Sequence, residues 1–456
     1  MKFAPHQYQK KAIKFMLEHA CAGLFLDPGL GKTSITLAAT KLLKSRGMVD
    51  RVLVVAPLRP AHGVWPKEAE KWNDFSGLRV QVLHGPEKDK ALARKADVDV
   101  INPEGLPWLF NCVKKAGVFP WQMLVIDEST RFKHTNTQRF KQLKPWLGKF
   151  RRRYILTGSP APNGLMDLFG QVYLLDQGYS LGQYITHFRN TFFDSTGYGG
   201  FTWKPKDNAE ERIYARLAPL VLRMDARDHL DLPPLINNTL EVELPPDARA
   251  IYNTMEDLLI AAVQDETVTA ANMAAAAIKC RQIANGGIYR DTDGWANIHE
   301  AKTEAVLELV ESLQGKPAFI AYEFKHDLDR LRAALGKDVP HMGGGITSKQ
   351  QARTEAMWNA GELPILLAQP QSVAHGLNLQ GVGAAVIWHS LTWDLENYEQ
   401  FVRRIWRQGQ RERVVVHHIV AKDTVDETIM AALAGKDRTQ RALLTALKQY
   451  AGTRKR

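Results

Sequence analysis

Cysteine is scarce in this chain: Cys21, Cys112 and Cys280 are the only three among 456 residues. Odd in number, far apart and without a CxxC pair, they indicate neither a disulfide framework nor a zinc site, and read as buried or incidental thiols. No apolar run approaches the ~20 residues that cross a bilayer, and Met1-Lys2-Phe3-Ala4-Pro5-His6 lacks the apolar core of a signal peptide. The expectation is a soluble cytoplasmic protein with no membrane partner. Short-period repeats, low-complexity linkers, zinc fingers, a nuclease constellation and a histone reader are also missing.

Acidic charge is scarce locally. The net charge is +11, and between Arg131 and Arg153 there are nine Lys or Arg and no acid. From Lys436 to Arg456 seven basic residues face the single Asp437. An excess of this kind favours a polyanionic partner, because Lys and Arg on phosphates release counterions.

What the chain does contain is a phosphate-loop pattern. Asp27-Pro28-Gly29-Leu30-Gly31-Lys32-Thr33 lies between an apolar strand, Ala22 to Leu26, and a helix, Lys32 to Leu43. Glycines there let backbone N–H groups point at phosphate oxygens, Lys32 meets the β and γ phosphates, and the Thr33 hydroxyl holds magnesium. Ser34 extends the set. The strict GxxxxGKT pattern fails at its first position, which is Leu26. About a hundred residues on, the apolar run Met123 to Ile126 ends in two adjacent carboxylates. Asp127 is placed to hold magnesium and Glu128 to orient and deprotonate the attacking water. Both elements in this order predict an ATP-hydrolysing site that uses Mg2+.

Strand-like runs alternate with helical segments, which predicts parallel sheets wrapped by helices. The first set is Ala22 to Leu26, Arg51 to Ala56, Val98 to Asn102, Met123 to Ile126 and Tyr154 to Leu156. A second set is Ala318 to Tyr322, Ile365 to Ala368, Ala384 to Trp388 and Val414 to Val420. Between them the chain turns aromatic and Gly-rich, then proline-marked, then Ala-rich. The fold class expected is α/β: one lobe over 1–178, a helical insertion and linker over 179–300, a second lobe over 301–430, and a basic helical tail over 431–456.

The order of motifs resembles the superfamily-two helicases, and among them the Snf-like double-stranded DNA translocases, which implies two RecA-like lobes. Tyr8-Gln9 is similar to the element that reads adenine. Val54-Val55-Ala56-Pro57-Leu58 and Ile101-Asn102-Pro103-Glu104 resemble the next two motifs. Asp127-Glu128-Ser129-Thr130-Arg131-Phe132-Lys133 stands where the family has DEAH, whose histidine helps couple the lobes; Ser129-Thr130 depart from it. Leu156-Thr157-Gly158-Ser159-Pro160-Ala161-Pro162-Asn163 is close to LTGTPxxN. Leu222-Arg223-Met224, Asp231-Leu232-Pro233-Pro234, Arg281-Gln282-Ile283-Ala284-Asn285 and Lys302 resemble the branch's middle signatures. Gly376-Leu377-Asn378-Leu379 resembles a nucleic-acid-reporting loop, and Gln400 to Gln410 is close to QxxDRxxRxGQ.

The resemblance implies arginine fingers at Arg404 and Arg407, which three-residue spacing would put on one helical face. It also implies a nucleotide-contacting Gln400, lobe coupling through Thr157, Ser159, Gly376 and Gln410, and nucleic-acid contacts from Pro57, Asn102, Arg131, Lys133, Arg223 and Asn378. ATP would then bind between the lobes and drive tracking along a duplex. DNA, duplex or forked, is the favoured partner, with single strands and RNA left open, and protein partners supplying nuclease or targeting functions are possible companions. A nucleoid-associated protein of a bacterial or phage-infected cell fits this. Two alternatives stay open: a strand-separating helicase, and an ATP-gated DNA-binding clamp without productive translocation.

Overall fold

The computed structural model describes residues 1–158, 160–161, 164–196, 202–229, 233–264, 270–290, 294–373, 379, 385–407, 410 and 412–434. Of the residues singled out above, Ser159, Pro162, Asn163, Asp231, Leu232, Gly376, Leu377 and Asn378, and the tail from 435 onward, lie outside the described residues.

The chain divides into two compact units, Met1–Leu230 and Asp231–Arg456. In the first, seven strands form one parallel sheet: β1 (Cys21–Leu26), β2 (Val52–Val55), β3 (Val80–Val82), β4 (Val98–Ile101), β5 (Met123–Asp127), β6 (Arg152–Thr157) and, after a hairpin of β7 (Phe193–Thr196) and β8 (Thr202–Pro205), β9 (Val221–Met224). Their order is β3-β4-β2-β5-β6-β1-β9. The central strands are largely apolar because both faces are covered, although β4 carries Asp99, β5 ends in Asp127 and β6 opens on Arg152-Arg153; β2 and β5 have every residue buried.

The second unit is a six-stranded parallel sheet in the order β10-β17-β16-β13-β15-β14. Its strands are β10 (Leu235–Val242), β13 (Ala318–Ala321), β14 (His341–Met342), β15 (Ile365–Ala368), β16 (Ala385–Trp388) and β17 (Val414–Ala421), with a small hairpin of β11 (Gly287–Tyr289) and β12 (Trp295–Asn297) beside it. Two parallel-sheet α/β lobes are therefore present, as the strand pattern predicts.

In the two large sheets four strands escape the search for apolar runs, and all are edge strands: β3, β9, β10 and β14; the small hairpins β7-β8 and β11-β12 escape it too. β10 is the clearest case, since most of its residues are exposed and it pairs on one side only, with β17. An edge strand in water needs no continuous apolar run. The segment 179–300 divides between the units. Its aromatic part packs on the first core through Phe188, Phe192 and Phe193, with Ile213 and Leu217 from the helix Ala209–Leu217. Its later helices, Pro246–Gln264 and Ala270–Asn285, belong to the second, where Tyr252, Cys280, Ile283 and Ala284 pack with Ala421 and Val425.

Two of the middle signatures, Arg281 to Asn285 and Lys302, are structural pins of this second unit, whereas Leu222-Arg223-Met224 lies on β9 of the first. Arg281 donates from Nη2 to the Leu391 carbonyl at 2.7 Å. Asn285 accepts from Lys302 Nζ at 2.8 Å and donates to Asp327 Oδ2 at 3.3 Å. Lys302, fully buried, pairs with Asp426 at 2.5 Å. Burial alone would push the Asp327 carboxyl up, but hydrogen bonds from His326 and Ser390 hold it well below the usual carboxylate range. The Lys302–Asp426 pair is costly to break, because removing one partner strands a buried charge. Lys302→Ala is expected to destabilise the second unit by about 3–5 kcal/mol, read as a lower midpoint in its denaturant unfolding transition with the first unit's transition unmoved.

Candidate active site

Three neighbouring strand ends build the site in the first unit. The sheet order sets β5, β6 and β1 side by side, so the loops leaving their C-terminal ends share one edge, where open parallel sheets place ligands. After β1 the chain turns through Gly29 (φ 92°) and Gly31 (φ 78°). Both angles lie in the left-handed region, and a Cβ on Gly31 would also come within 2.7 Å of Gln9 Nε2. Gly31 caps the helix Lys32–Ser45, so its free N–H groups and positive dipole end face the turn. Gln9, from the helix Gln7–Glu18, lies over this loop: its Nε2 donates to the Leu30 carbonyl at 3.3 Å and its Oε1 accepts from the His6 N–H at 2.9 Å. Pro28 and Thr33 flank the turn half-buried. Lys32 Nζ reaches back to the Leu26 carbonyl at 2.8 Å.

Ser34 is turned to another task. Its hydroxyl donates to Glu68 Oε1 at 2.6 Å, and the same oxygen accepts from Trp72 Nε1 at 2.6 Å. The helix that starts at the phosphate loop is thereby tied to the helix Trp65–Lys71.

The acids stand at the end of β5. Asp127 is buried, and Oδ2 accepts from Trp65 Nε1 at 3.0 Å while Oδ1 accepts from the Glu128 N–H at 3.1 Å. Burial, then the charge of Glu128, push its carboxyl up to about 6, against the Trp65 hydrogen bond and the nearby Lys32 ammonium, which pull it down. Lys32 and Asp127 are thus within electrostatic reach of each other. Glu128 adopts a left-handed backbone (φ 50°, ψ 59°), which a residue with a Cβ holds only at a cost of about 1–3 kcal/mol. The strain turns the chain so that the strand ends in two carboxylates rather than continuing into the sheet. A buried carboxylate short of positive charge, beside a glycine turn and a lysine at a helix N-terminus, fits a divalent cation carrying a triphosphate.

The remaining candidates are dispersed. Pro57 is buried at the start of the helix Leu58–Gly63, and Asn102 is buried with Nδ2 on Glu104 Oε2 at 2.8 Å. Arg131 is half-buried in the turn Ser129–Phe132. Lys133 pairs with Asp167 at 3.2 Å, and Arg223, largely exposed on β9, lies 3.8 Å from Asp225. Thr157, fully buried, ends β6.

In the second unit, Gln400 is buried in the helix Leu395–Ile405 with Nε2 on Glu396 at 3.0 Å. Arg404 lies in that helix, but Arg407 lies beyond its end. The chain leaves the helix at Trp406, whose indole is drawn inward to donate to the Pro233 carbonyl at 2.8 Å. The helical-face argument from spacing therefore does not apply to this pair. Gln410 accepts from the Glu412 N–H at 3.0 Å and donates its own N–H to the Arg407 carbonyl at 3.0 Å.

Trp65 on Asp127 and Glu68 on Ser34 are supports of the site that no local pattern in the sequence shows. Trp65 is buried and its indole N–H donates to the acid; the one hint a sequence offers is that the polar edge of a buried tryptophan needs a partner. Trp65→Phe is expected to weaken Mg2+ binding about 10- to 100-fold, measured by titrating Mg2+ against nucleotide hydrolysis. The raised Asp127 carboxyl also has a sign. Its proton is held more tightly in the folded chain than at the usual 3.8, so its contribution to stability is full below that value and lost as pH rises through about 6. Asp127→Asn is therefore expected to melt above the wild type at pH 8, by a smaller margin at pH 5, and level with it only below about pH 3.8, read by thermal denaturation across that range.

Comparison with known proteins agrees with this geometry. The SNF2-related domain family matches residues 8–287, and the helicase conserved C-terminal domain matches residues 301–409. Protein p41 of Acyrthosiphon pisum secondary endosymbiont phage 1 is 37% identical over 98% of this chain and 99% of its own length. An uncharacterized ATP-dependent helicase of Mycoplasma genitalium is 24% identical over 93% of this chain, which spans 40% of that protein. Among solved structures, the Sulfolobus solfataricus SWI2/SNF2 ATPase core in complex with double-stranded DNA is 23% identical, with a TM-score of 0.47, covering 99% of this chain and 95% of that one. The matched domain takes in well over half of the 456 residues, and the chain belongs to the SNF2-related family of ATP-hydrolysing helicases and translocases.

Proposed function

We propose that this member of the family is a motor that couples ATP hydrolysis on the first unit to movement along, or remodelling of, double-stranded or forked DNA. The observation that carries the reading is the meeting of Lys32 with the Asp127-Glu128 pair at one sheet edge, with Asp127 buried and Glu128 in a left-handed backbone. A chain that used these residues only for folding would gain nothing from a strained glutamate beside a desolvated aspartate. Lys32 and the N–H groups of the helix it begins bind the phosphates, Thr33 and Asp127 hold magnesium, and Glu128 takes the proton from water. Bound magnesium supplies Lewis-acid charge to the phosphoryl oxygens. Arg404 and Arg407 stabilise charge in the transition state in this reading, and Gln9 positions the base through the same amide that touches Leu30.

The net charge of +11 and the acid-free basic run from Arg131 to Arg153 support DNA as the partner, since cationic side chains gain affinity for phosphates by releasing counterions. Arg131, Lys133 and Arg223 remain the cationic candidates for backbone contact, although Lys133 must first give up Asp167.

Lys32→Ala and Glu128→Gln are expected to abolish hydrolysis, with Glu128→Gln retaining nucleotide, and Arg404→Ala or Arg407→Ala to lower the rate about 10³-fold or more. The wild type is expected to hydrolyse faster with duplex DNA and to displace a triplex-forming strand without separating the duplex. Strand separation would move the assignment to a helicase; DNA binding that needs ATP but shows no turnover would move it to a clamp.

A further inference from the structure

The turn after the acids is wired to the end of the neighbouring strand. Ser129, the residue directly after Glu128, is fully buried, and its hydroxyl donates to Gln171 Oε1 at 2.7 Å. Gln171, fully buried in the helix Leu168–Asp176, donates from Nε2 to the Pro160 carbonyl at 2.5 Å and to the Asp167 carbonyl at 2.9 Å. Pro160 sits three residues past the end of β6, in the loop opened by Thr157 and Gly158. One amide thus spans two loops that the sheet merely sets side by side.

The surroundings make this bridge stiff. A Cβ on Gly170 would come within 2.5 Å of the Phe132 carbonyl and would also strike the Lys133 carbonyl, so the helix carrying Gln171 lies directly against the turn Ser129–Phe132. Lys133, one residue past that turn, pairs with Asp167, the last residue before the helix. Upstream, Glu128 is fixed in its left-handed backbone. The turn after the acids therefore has packed and hydrogen-bonded neighbours on the Gln171 side rather than open solvent, and packed interiors deform little.

We propose that Ser129 and Gln171 are positioning residues that relay the state of the nucleotide from Asp127-Glu128 to Pro160, beyond the end of β6. They would supply through a serine and a glutamine a connection for which position 130 here has no histidine to offer. Neither touches nucleotide; each acts through what it holds. The inference rests on ATP being used at this site.

Hydrogen exchange in a peptide spanning 154–165, with and without Mg·ATP, tests it in the intact chain. In the wild type, nucleotide is expected to slow exchange there. Ser129→Ala is expected to bind nucleotide within about threefold of wild type yet lose about 2- to 30-fold of that response. Gln171→Leu, which keeps an apolar volume, is expected to do the same, and the double variant to lose no more than either alone, since one path is cut once. A packing defect alone would lower melting temperature and leave the nucleotide-dependent difference intact. An undiminished response in both variants, additive losses in the double variant, or nucleotide binding with no response in the wild-type peptide overturns the relay. Absence of nucleotide binding by the wild type overturns the motor reading itself, and the relay with it.

Discussion

The burial of one carboxylate at the end of a central strand constrains the first unit more than any other feature. Asp127 closes β5, a strand with no exposed residue, and cannot be solvated there as a surface acid is. It keeps its place because the indole of Trp65 and the N–H of Glu128 occupy its two oxygens and because Lys32 lies near enough to lower its proton affinity. Those partners come from three separate stretches of chain. The strand order β5-β6-β1 brings two of them to one edge, and the helix that Trp65 begins brings the third.

Around that carboxylate the chain has spent its polar side chains on one another. Ser34 and Trp72 share Glu68, Gln9 clamps Leu30, and Ser129 holds Gln171. Each bond links an element of the nucleotide loop or the acid strand to a neighbour, so the site is held by its supports as much as by its own residues. The second unit does the same with different chemistry. Lys302, Asp426, Asn285, Asp327 and Ser390 form a buried network that locks the helix Ala270–Asn285 to its sheet. Residues that look like a motif in that stretch are, in the structure, internal braces.

The departure from the DEAH pattern at Ser129-Thr130 changes meaning once side chains are seen. In sequence it reads as a gap in the coupling apparatus. In the structure Ser129 is a donor in a continuous chain of hydrogen bonds that runs to Pro160. Buried polar groups are held to such partners because an unsatisfied one is costly, which makes the path specific rather than diffuse.

Central strands were legible from the sequence because a parallel strand covered on both faces is largely apolar: β1, β2, β13, β15 and β16 are apolar throughout, and β4, β5, β6 and β17 are apolar runs that carry Asp99, Asp127, Arg152-Arg153 and His417-His418. The phosphate loop and the acid pair were legible for a related reason, since glycine at positive φ and charge at a strand end are demands on single residues. Edge strands such as β10 were hidden because a strand half open to water has no such composition. Equally hidden were Trp65 on Asp127, Ser34 on Glu68, Gln171 on Ser129 and the helix end that separates Arg404 from Arg407. Local sequence determines what each segment must bury and how its backbone must bend. Which buried donor meets which acceptor depends on residues tens of positions apart meeting across a packed interface, and only the tertiary structure decided that.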